Sequence, residues 1–406
     1  MNSATSCDTV ALASPKSIRA FSLKTPALPY TLLIFAVILF FRRPDMLAYP
    51  QFWAEDGAIF IPYAKYIHLI PRLVAYLASF FPIAIAPAIY AYTTLAITLG
   101  IGAKLFSTRL ELPYKPLLVV AIALVPTGGE VILNLTNIHW YTALLLVALV
   151  LQKPPPTRWQ TASDFTLLVL AGLTGPFIIA FAPLFLLRWI KRWDNYSSLL
   201  AGAALLLAGV QGYSILQAGG PSTVSFDWLA WMAVLGRRYA GTLFLGNGIA
   251  GHVPYPLLFL VTLAVPATTL FFVSRSDKAD KLLFPTVVVL LAAILVTGAT
   301  FYKFKAAPTA LIPLYDGDRY FYLPRLMMMW ALIFCLSLGG LVGRLAAVSL
   351  LFVMLAAATT EFQVAPMRDY AWKSYVPAIK RAAELDEPLQ VPINPPGWSV
   401  KLNLEQ

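Results

Sequence analysis

Apolar runs broken by short polar turns organise this chain, and their lengths predict helical segments near 27–41, 83–106, 116–126, 139–152, 165–174, 177–187, 197–217, 255–273, 282–300, 323–338 and 345–358. Several of the eleven fall short of the roughly 20 residues that a perpendicular membrane crossing needs. The short ones are expected to be tilted, broken or re-entrant helices shielded by protein. The pattern therefore predicts an all-α, polytopic membrane protein with about 11 membrane segments. It divides into a cytoplasmic tail (1–26), a multi-pass body (27–358) and a short extracytoplasmic cap (359–406).

Composition agrees, since 59% of the 406 residues are hydrophobic and only 12% are charged, which excludes an ordinary soluble domain. The net charge of +11 does not point to nucleic acid, because the basic residues are scattered in small clusters between apolar runs. They instead set an orientation. Lys16, Arg19 and Lys24; Lys104, Arg109 and Lys115; Lys153 and Arg158; Arg188, Lys191 and Arg192; and Arg275, Lys278 and Lys281 recur at alternate turns, which reads as cytoplasmic. Arg42 and Arg43 dissent, lying on the other side of the first run. The remaining loops are longer, aromatic and acidic, and face outward. The first apolar run lacks a small-residue cleavage site and reads as a retained anchor. Cys7 and Cys335 offer neither a disulfide framework nor a cysteine metal site.

The first outer loop carries adjacent carboxylates, Glu55 and Asp56, within Phe52-Trp53-Ala54-Glu55-Asp56-Gly57. Carboxylates at headgroup depth are costly unless solvated or used. Ile59, Tyr63, Tyr66, Ile67 and Ile70 then recur at helical spacing, predicting an interfacial amphipathic helix whose dipole would keep the pair ionised. The alternative is that the two residues merely cap that helix. An acidic pair placed after the first membrane helix and before an amphipathic helix resembles the GT-C superfamily of membrane glycosyltransferases. That resemblance implies a many-helix enzyme that takes sugar from a polyprenyl-phosphate donor and passes it to an envelope glycan, lipid or protein acceptor. It also implies inversion by a single displacement on the extracytoplasmic face, at a bacterial inner membrane. Glu55 or Asp56 would activate the acceptor or hold a divalent metal such as Mg or Mn. The sequence contains neither a Trp-Trp-Asp motif nor a soluble oligosaccharyltransferase-like domain.

Such a transfer needs a cation to stabilise the departing phosphate. Arg319, in Asp316-Gly317-Asp318-Arg319-Tyr320, stands just before an apolar run, where its planar fork would suit a phosphate; Asp318 and Tyr320 join it as substrate-binding candidates. Arg319 could equally be neutralised by Asp316 or Asp318 in an ordinary surface ion pair. Lys303 and Lys305 precede it and would widen an anion site or simply snorkel to lipid headgroups. A second polar island contains Glu130, Asn137, His139 and Trp140, suited to sugar hydroxyls and to stacking on a sugar face, or else to closing a broken helix with hydrogen bonds. Arg237 and Arg238 lie in a segment expected to form an interfacial helix and flexible turn. Gly175-Pro176 marks a tight bend. Beyond 359 the pattern predicts a helix followed by an extended, Pro-rich cap. Two further readings stand beside the enzyme: a lipid or glycan transporter without covalent chemistry, and a glycan polymerase.

Overall fold

A computed structural model describes residues 28–56, 66–217, 227–314 and 317–402. The tail 1–26, Ile59, Tyr63 and Asp316 lie outside them.

Every predicted apolar run forms a helix. In chain order these are α1 (Leu28–Arg42), α2 (Asp45–Ala48), α3 (Leu69–Ala78), α4 (Ala86–Leu105), α5 (Lys115–Leu124), α6 (Ile138–Leu151), α7 (Arg158–Thr174), α8 (Phe177–Arg192), α9 (Asn195–Gln217), α10 (Trp228–Leu235), α11 (Thr242–Ala250), α12 (Tyr255–Ser274), α13 (Ala279–Lys303), α14 (Arg319–Cys335), α15 (Leu341–Thr360) and α16 (Trp372–Leu385). A small antiparallel hairpin, β1 (Leu389–Ile393) and β2 (Trp398–Leu402), pairs Leu389 with Leu402 and Ile393 with Trp398, and forms the extended part of the cap.

Among the described residues, five helical stretches are long and apolar enough to cross a membrane: Ile83–Leu105, Asn195–Gln217, Tyr255–Ser274, Ala279–Lys303 and Leu341–Thr360. Leu206, Leu260, Val342 and Phe352 are exposed along them. A helix that satisfies its own backbone groups can present such side chains to lipid. The centre is different in kind, because every residue of α6, and every residue of α14 from Phe321 to Cys335, is buried by neighbouring helices.

The short helices account for the polar interior. At about 1.5 Å per residue, α5 and α6 span only roughly 15 and 21 Å. The turn that joins them therefore stays inside the protein, and Val131 to Asn137 are all buried. Irregular backbone at that depth needs internal partners. Arg42 supplies several: Nη1 donates to the carbonyls of Ala123 (2.5 Å) and Val125 (2.9 Å) at the end of α5, and Nε to Phe362 O (3.1 Å). Arg43 Nη1 donates to Gly129 O at 2.6 Å. These two arginines break the charge pattern along the sequence because they are buried braces for carbonyls, Arg42 at the C-terminus of α5, where a cation is favoured, and Arg43 in the turn beyond it. Arg188 does the same for α6, donating to the carbonyls of Leu149, Val150 and Gln152.

The two sets of loops read from the sequence gather among themselves. On the basic side Arg109 Nη2 donates to Lys153 O (2.8 Å) and Lys278 Nζ to Ser337 O (2.6 Å). On the acidic, aromatic side Gly128 N–H donates to Asp318 (2.6 Å) and Gln51 Nε2 to Asp369 (3.1 Å). This second side carries the candidate chemistry.

Candidate functional site

The Phe52–Asp56 segment is fixed before any substrate arrives. Phe52 is buried against the rings of Tyr90 (5.2 Å) and Trp372 (4.6 Å). The far C-terminal cap grips its backbone: Asn394 N–H donates to Phe52 O (3.2 Å), Ala54 N–H donates to Asn394 O, and Trp53 and Asn394 form an isolated bridge. The side chain of Asn394 is itself held by the backbone of Arg368, accepting at 3.0 Å and donating at 2.8 Å. Phe52 and Trp53 were visible in the sequence as aromatics beside the acidic pair. Asn394 carried no signal, since its role is made by contacts more than 300 residues apart.

The two adjacent carboxylates separate. Asp56 is buried, and both its oxygens are taken: Oδ1 by the Thr136 hydroxyl (2.7 Å) and Oδ2 by Trp53 N–H (2.7 Å). Burial pushes its pKa up to about 7 in spite of those two bonds. The expectation that a helix dipole keeps it ionised is therefore corrected. The local element is a single 3₁₀ turn, Ala54–Asp56. The helix expected through Tyr66 and Ile67 begins only at Leu69, because Pro71 has no N–H to bond residue 67 and its ring would clash with that carbonyl. His68 in front of it takes a left-handed conformation with φ 51°.

A raised carboxyl pKa lowers stability as pH rises. Relative to the unfolded chain, the contribution of Asp56 is fullest below about pH 4 and is lost as pH rises through its folded pKa of about 7. Thermal unfolding in detergent should therefore show a loss on the order of a few kcal/mol across that window. Asp56→Asn should flatten the slope; an unchanged slope would place the titrating group elsewhere.

Glu55, by contrast, is only partly buried, and its Oε2 has no hydrogen-bond partner. Its charge favours the cationic form of Arg319 and opposes ionisation of Glu130 and Tyr66. Arg319 opens α14, and its Nη1 lies 3.5 Å from Glu130 Oε2. The pairing expected with Asp318 does not form. The Arg319 guanidinium also lies 5.3 Å from the centre of the Tyr320 ring, and Lys303 donates to the Tyr320 hydroxyl. Burial raises the Glu130 carboxyl pKa, Arg319 opposing it.

Behind this group stands an aromatic wall. The His68 imidazole stacks on Tyr66 (3.9 Å between ring centres), His139 meets both edge-on (5.7 and 5.8 Å), and Trp140 packs against Phe177 (4.7 Å) and Tyr320 (5.7 Å). Gly175 lets the chain pass His139, since a Cβ there would come within 2.6 Å of the His139 Cβ. The expected bend at Gly175-Pro176, between α7 and α8, thus also seats an imidazole.

Two sequence candidates, Asp318 and Asn137, turn out to do structural work. Asp318 is fully buried between Arg238 (3.1 Å) and Arg325 (2.8 Å) and accepts from Gly128 N–H (2.6 Å), so it cannot reach a substrate. Burial works against its charge, but Arg325 and Arg238 outweigh it and hold the carboxyl below the usual carboxylate range. Asn137 is buried and donates to Glu130 O (2.8 Å), closing the turn between α5 and α6. Lys305 lies over the exposed ring of Tyr302 at 4.6 Å. Arg238, expected on an interfacial helix and flexible turn, sits instead in a π-helical turn, Gly236–Gly241, that carries its fully buried side chain onto Asp318.

The Glu55–Asp56 pair does not fit a divalent cation. Both oxygens of Asp56 are engaged, and among the described residues no three of His, Cys, Asp and Glu gather at metal-binding distances. No protein-family model, characterised protein or solved structure matches the chain.

Proposed function

We propose that this protein is a membrane glycosyltransferase of GT-C-like plan, with about 11 membrane segments, that moves a sugar from a polyprenyl-phosphate donor to an envelope glycan, lipid or protein acceptor on the extracytoplasmic face of a bacterial inner membrane. The observation that carries the reading is Glu55. Its Oε2 has no hydrogen-bond partner, it stands on a braced loop, and its charge acts on the Arg319 guanidinium. A general base needs a free acceptor atom within reach of the hydroxyl it deprotonates. A departing prenyl phosphate gains charge as the glycosyl bond breaks, and Arg319, with Lys303 nearby, supplies the counter-charge. Glu130 pairs with Arg319 in the resting protein and would yield it to phosphate. Tyr320 fixes Lys303. The sugar acceptor oxygen attacks the anomeric carbon, Glu55 takes its proton, and the prenyl phosphate leaves with the bonding pair.

The deciding assay incubates purified protein with a labelled prenyl-phosphate sugar and an envelope-lipid extract. Glycosylated product together with released prenyl phosphate supports catalysis. Intact donor moved across proteoliposomes without cleavage would favour a transporter instead.

Arg319 should show a graded defect. Arg319→Lys keeps a cation but loses the planar fork, and Arg319→Ala loses both, so single-turnover transfer should fall from wild type to Lys to Ala, by about 10- to 1,000-fold at the last step. Unchanged transfer in the folded Ala variant would remove Arg319 from the site.

Sidedness follows from the loop sets. With Cys7 and Cys335 replaced by Ser, a cysteine at exposed Glu384 should react with an impermeant maleimide in intact cells, and one at exposed Arg158 should not. The reverse pattern would place Glu55 on the cytoplasmic side and sink the proposal.

A further inference from the structure

Tyr66 and His68 were not assigned any chemistry from the sequence, yet they complete one wall of the site. His68 is buried at the N-terminal approach to α3, and its Nδ1 has no hydrogen-bond partner. Nor has Nε1 of Trp140, also buried. His139 Nδ1 lies 3.0 Å from Thr136 O, which can only accept, so Nδ1 carries the proton and Nε2 the lone pair. The wall therefore offers an indole donor, imidazole atoms able to donate or accept, and the apolar edge of the Tyr66–His68 stack. It begins at the phenol of Tyr66, which Glu55 and Arg319 both influence.

Its charge is as telling as its shape. Burial, with exposed Arg72 adding to it, pushes the His68 pKa down to about 4, so the imidazole facing Tyr66 is neutral at ordinary pH. The formal charges acting at the wall are the carboxylates Glu55 and Glu130, the cations Arg319 and Lys303, which are turned to Glu130 and the Tyr320 hydroxyl, and Arg72, which is exposed and acts on His68. A hydroxyl-rich ring meets donors, acceptors and an aromatic edge here. A ring bearing its own carboxylate meets two carboxylates and would have to draw Arg319 or Lys303 away from the phosphate, or Arg72 in from the surface.

We propose that Tyr66, His68, His139 and Trp140 form the subsite for the transferred sugar, and that this subsite selects an uncharged, hydroxyl-bearing ring over a uronic acid. Tyr66 and His68 present the apolar edge of their stack, while Trp140 and His139 supply the directional bonds. The inference rests on the glycosyl-transfer reading and narrows its donor to neutral prenyl-phosphate sugars.

The test measures binding of two probes to the full chain in detergent, a prenyl-phosphate-linked hexose and the corresponding hexuronate, differing only at C6. The hexose should bind about tenfold or more tightly than the hexuronate, because unfavourable charge juxtaposition is an effective means of rejection. His68→Phe, which keeps the stack and removes Nδ1, should weaken the hexose about five- to tenfold while leaving affinity for the bare prenyl phosphate unchanged. Equal affinity for hexose and hexuronate would overturn the selectivity and leave glycosyl transfer standing. Binding of the hexose with full strength in His68→Phe would remove His68 from the subsite. Failure of the wild-type protein to bind or cleave either donor would overturn the transferase reading itself, and the sugar subsite with it.

Discussion

Glu55→Gln should abolish most of the transfer while leaving the protein folded. The substitution preserves the shape of the side chain and removes its charge and basicity. Because Oε2 has no hydrogen-bond partner and the residue is only partly buried, no existing bond of that atom is lost. The backbone around it is secured independently by Asn394 and by Phe52 packed between Tyr90 and Trp372. Loss of an effective general base costs about 100- to 10,000-fold in rate. Single-turnover transfer from a labelled prenyl-phosphate sugar, measured on protein with wild-type yield and unfolding temperature, reads that factor directly. The neighbouring Asp56→Asn should behave in the opposite way, with an altered dependence of stability on pH and a much smaller effect on rate, because Asp56 spends both oxygens on Thr136 and Trp53. A Gln variant that transfers sugar at the normal rate would show that Glu55 is not the base.

That contrast marks where the sequence could be read and where it could not. Apolar runs at helical length locate the helices, since the period and the caps are local properties. The alternation of basic loops likewise anticipates which loops gather together. Adjacent residues 55 and 56 look interchangeable along the chain, however, and what separates them is burial of Asp56 against Thr136, 80 residues away, together with the Trp53 N–H. Arg42 and Arg43 look like topology signals but spend their charge on carbonyls of a turn far along the chain. The predicted helix through Tyr66 illustrates a local rule that was available and outweighed, for Pro71 marks the true start at Leu69. His68 gains significance only from Tyr66 and His139, which stack and tilt around it in three dimensions. Buried polar groups meet their partners through long-range packing, and spacing along a sequence does not encode those meetings.

Asp318 supplies the second large effect, and it lies in stability. Its carboxylate sits fully buried between Arg238 and Arg325, so neutralising it leaves two buried cations with one compensating charge removed. Breaking a buried ion pair from one side costs about 3–5 kcal/mol. Both arginines keep carbonyl partners, Arg238 at Leu311 (3.0 Å) and Leu314 (2.6 Å), and Arg325 at Pro126 (2.9 Å) and Arg238 (2.6 Å), which spreads their charge. Asp318→Asn should therefore fall near the lower end, about 3 kcal/mol. Chemical unfolding in detergent at pH 7 measures it. The pH dependence gives a second reading of opposite sign to that of Asp56: a depressed folded pKa contributes stability above the unfolded value and loses it as pH falls through the folded one. The wild-type advantage over Asp318→Asn should accordingly persist from neutral pH to about pH 4 and shrink only below it. Because Asp318 joins Gly128 to the start of α14, loosening it should also free Arg319 from its place opposite Glu130, so the fraction of Asp318→Asn that remains folded should transfer sugar more slowly than wild type. A variant as stable as wild type at neutral pH would show that the two arginines are held by backbone carbonyls alone.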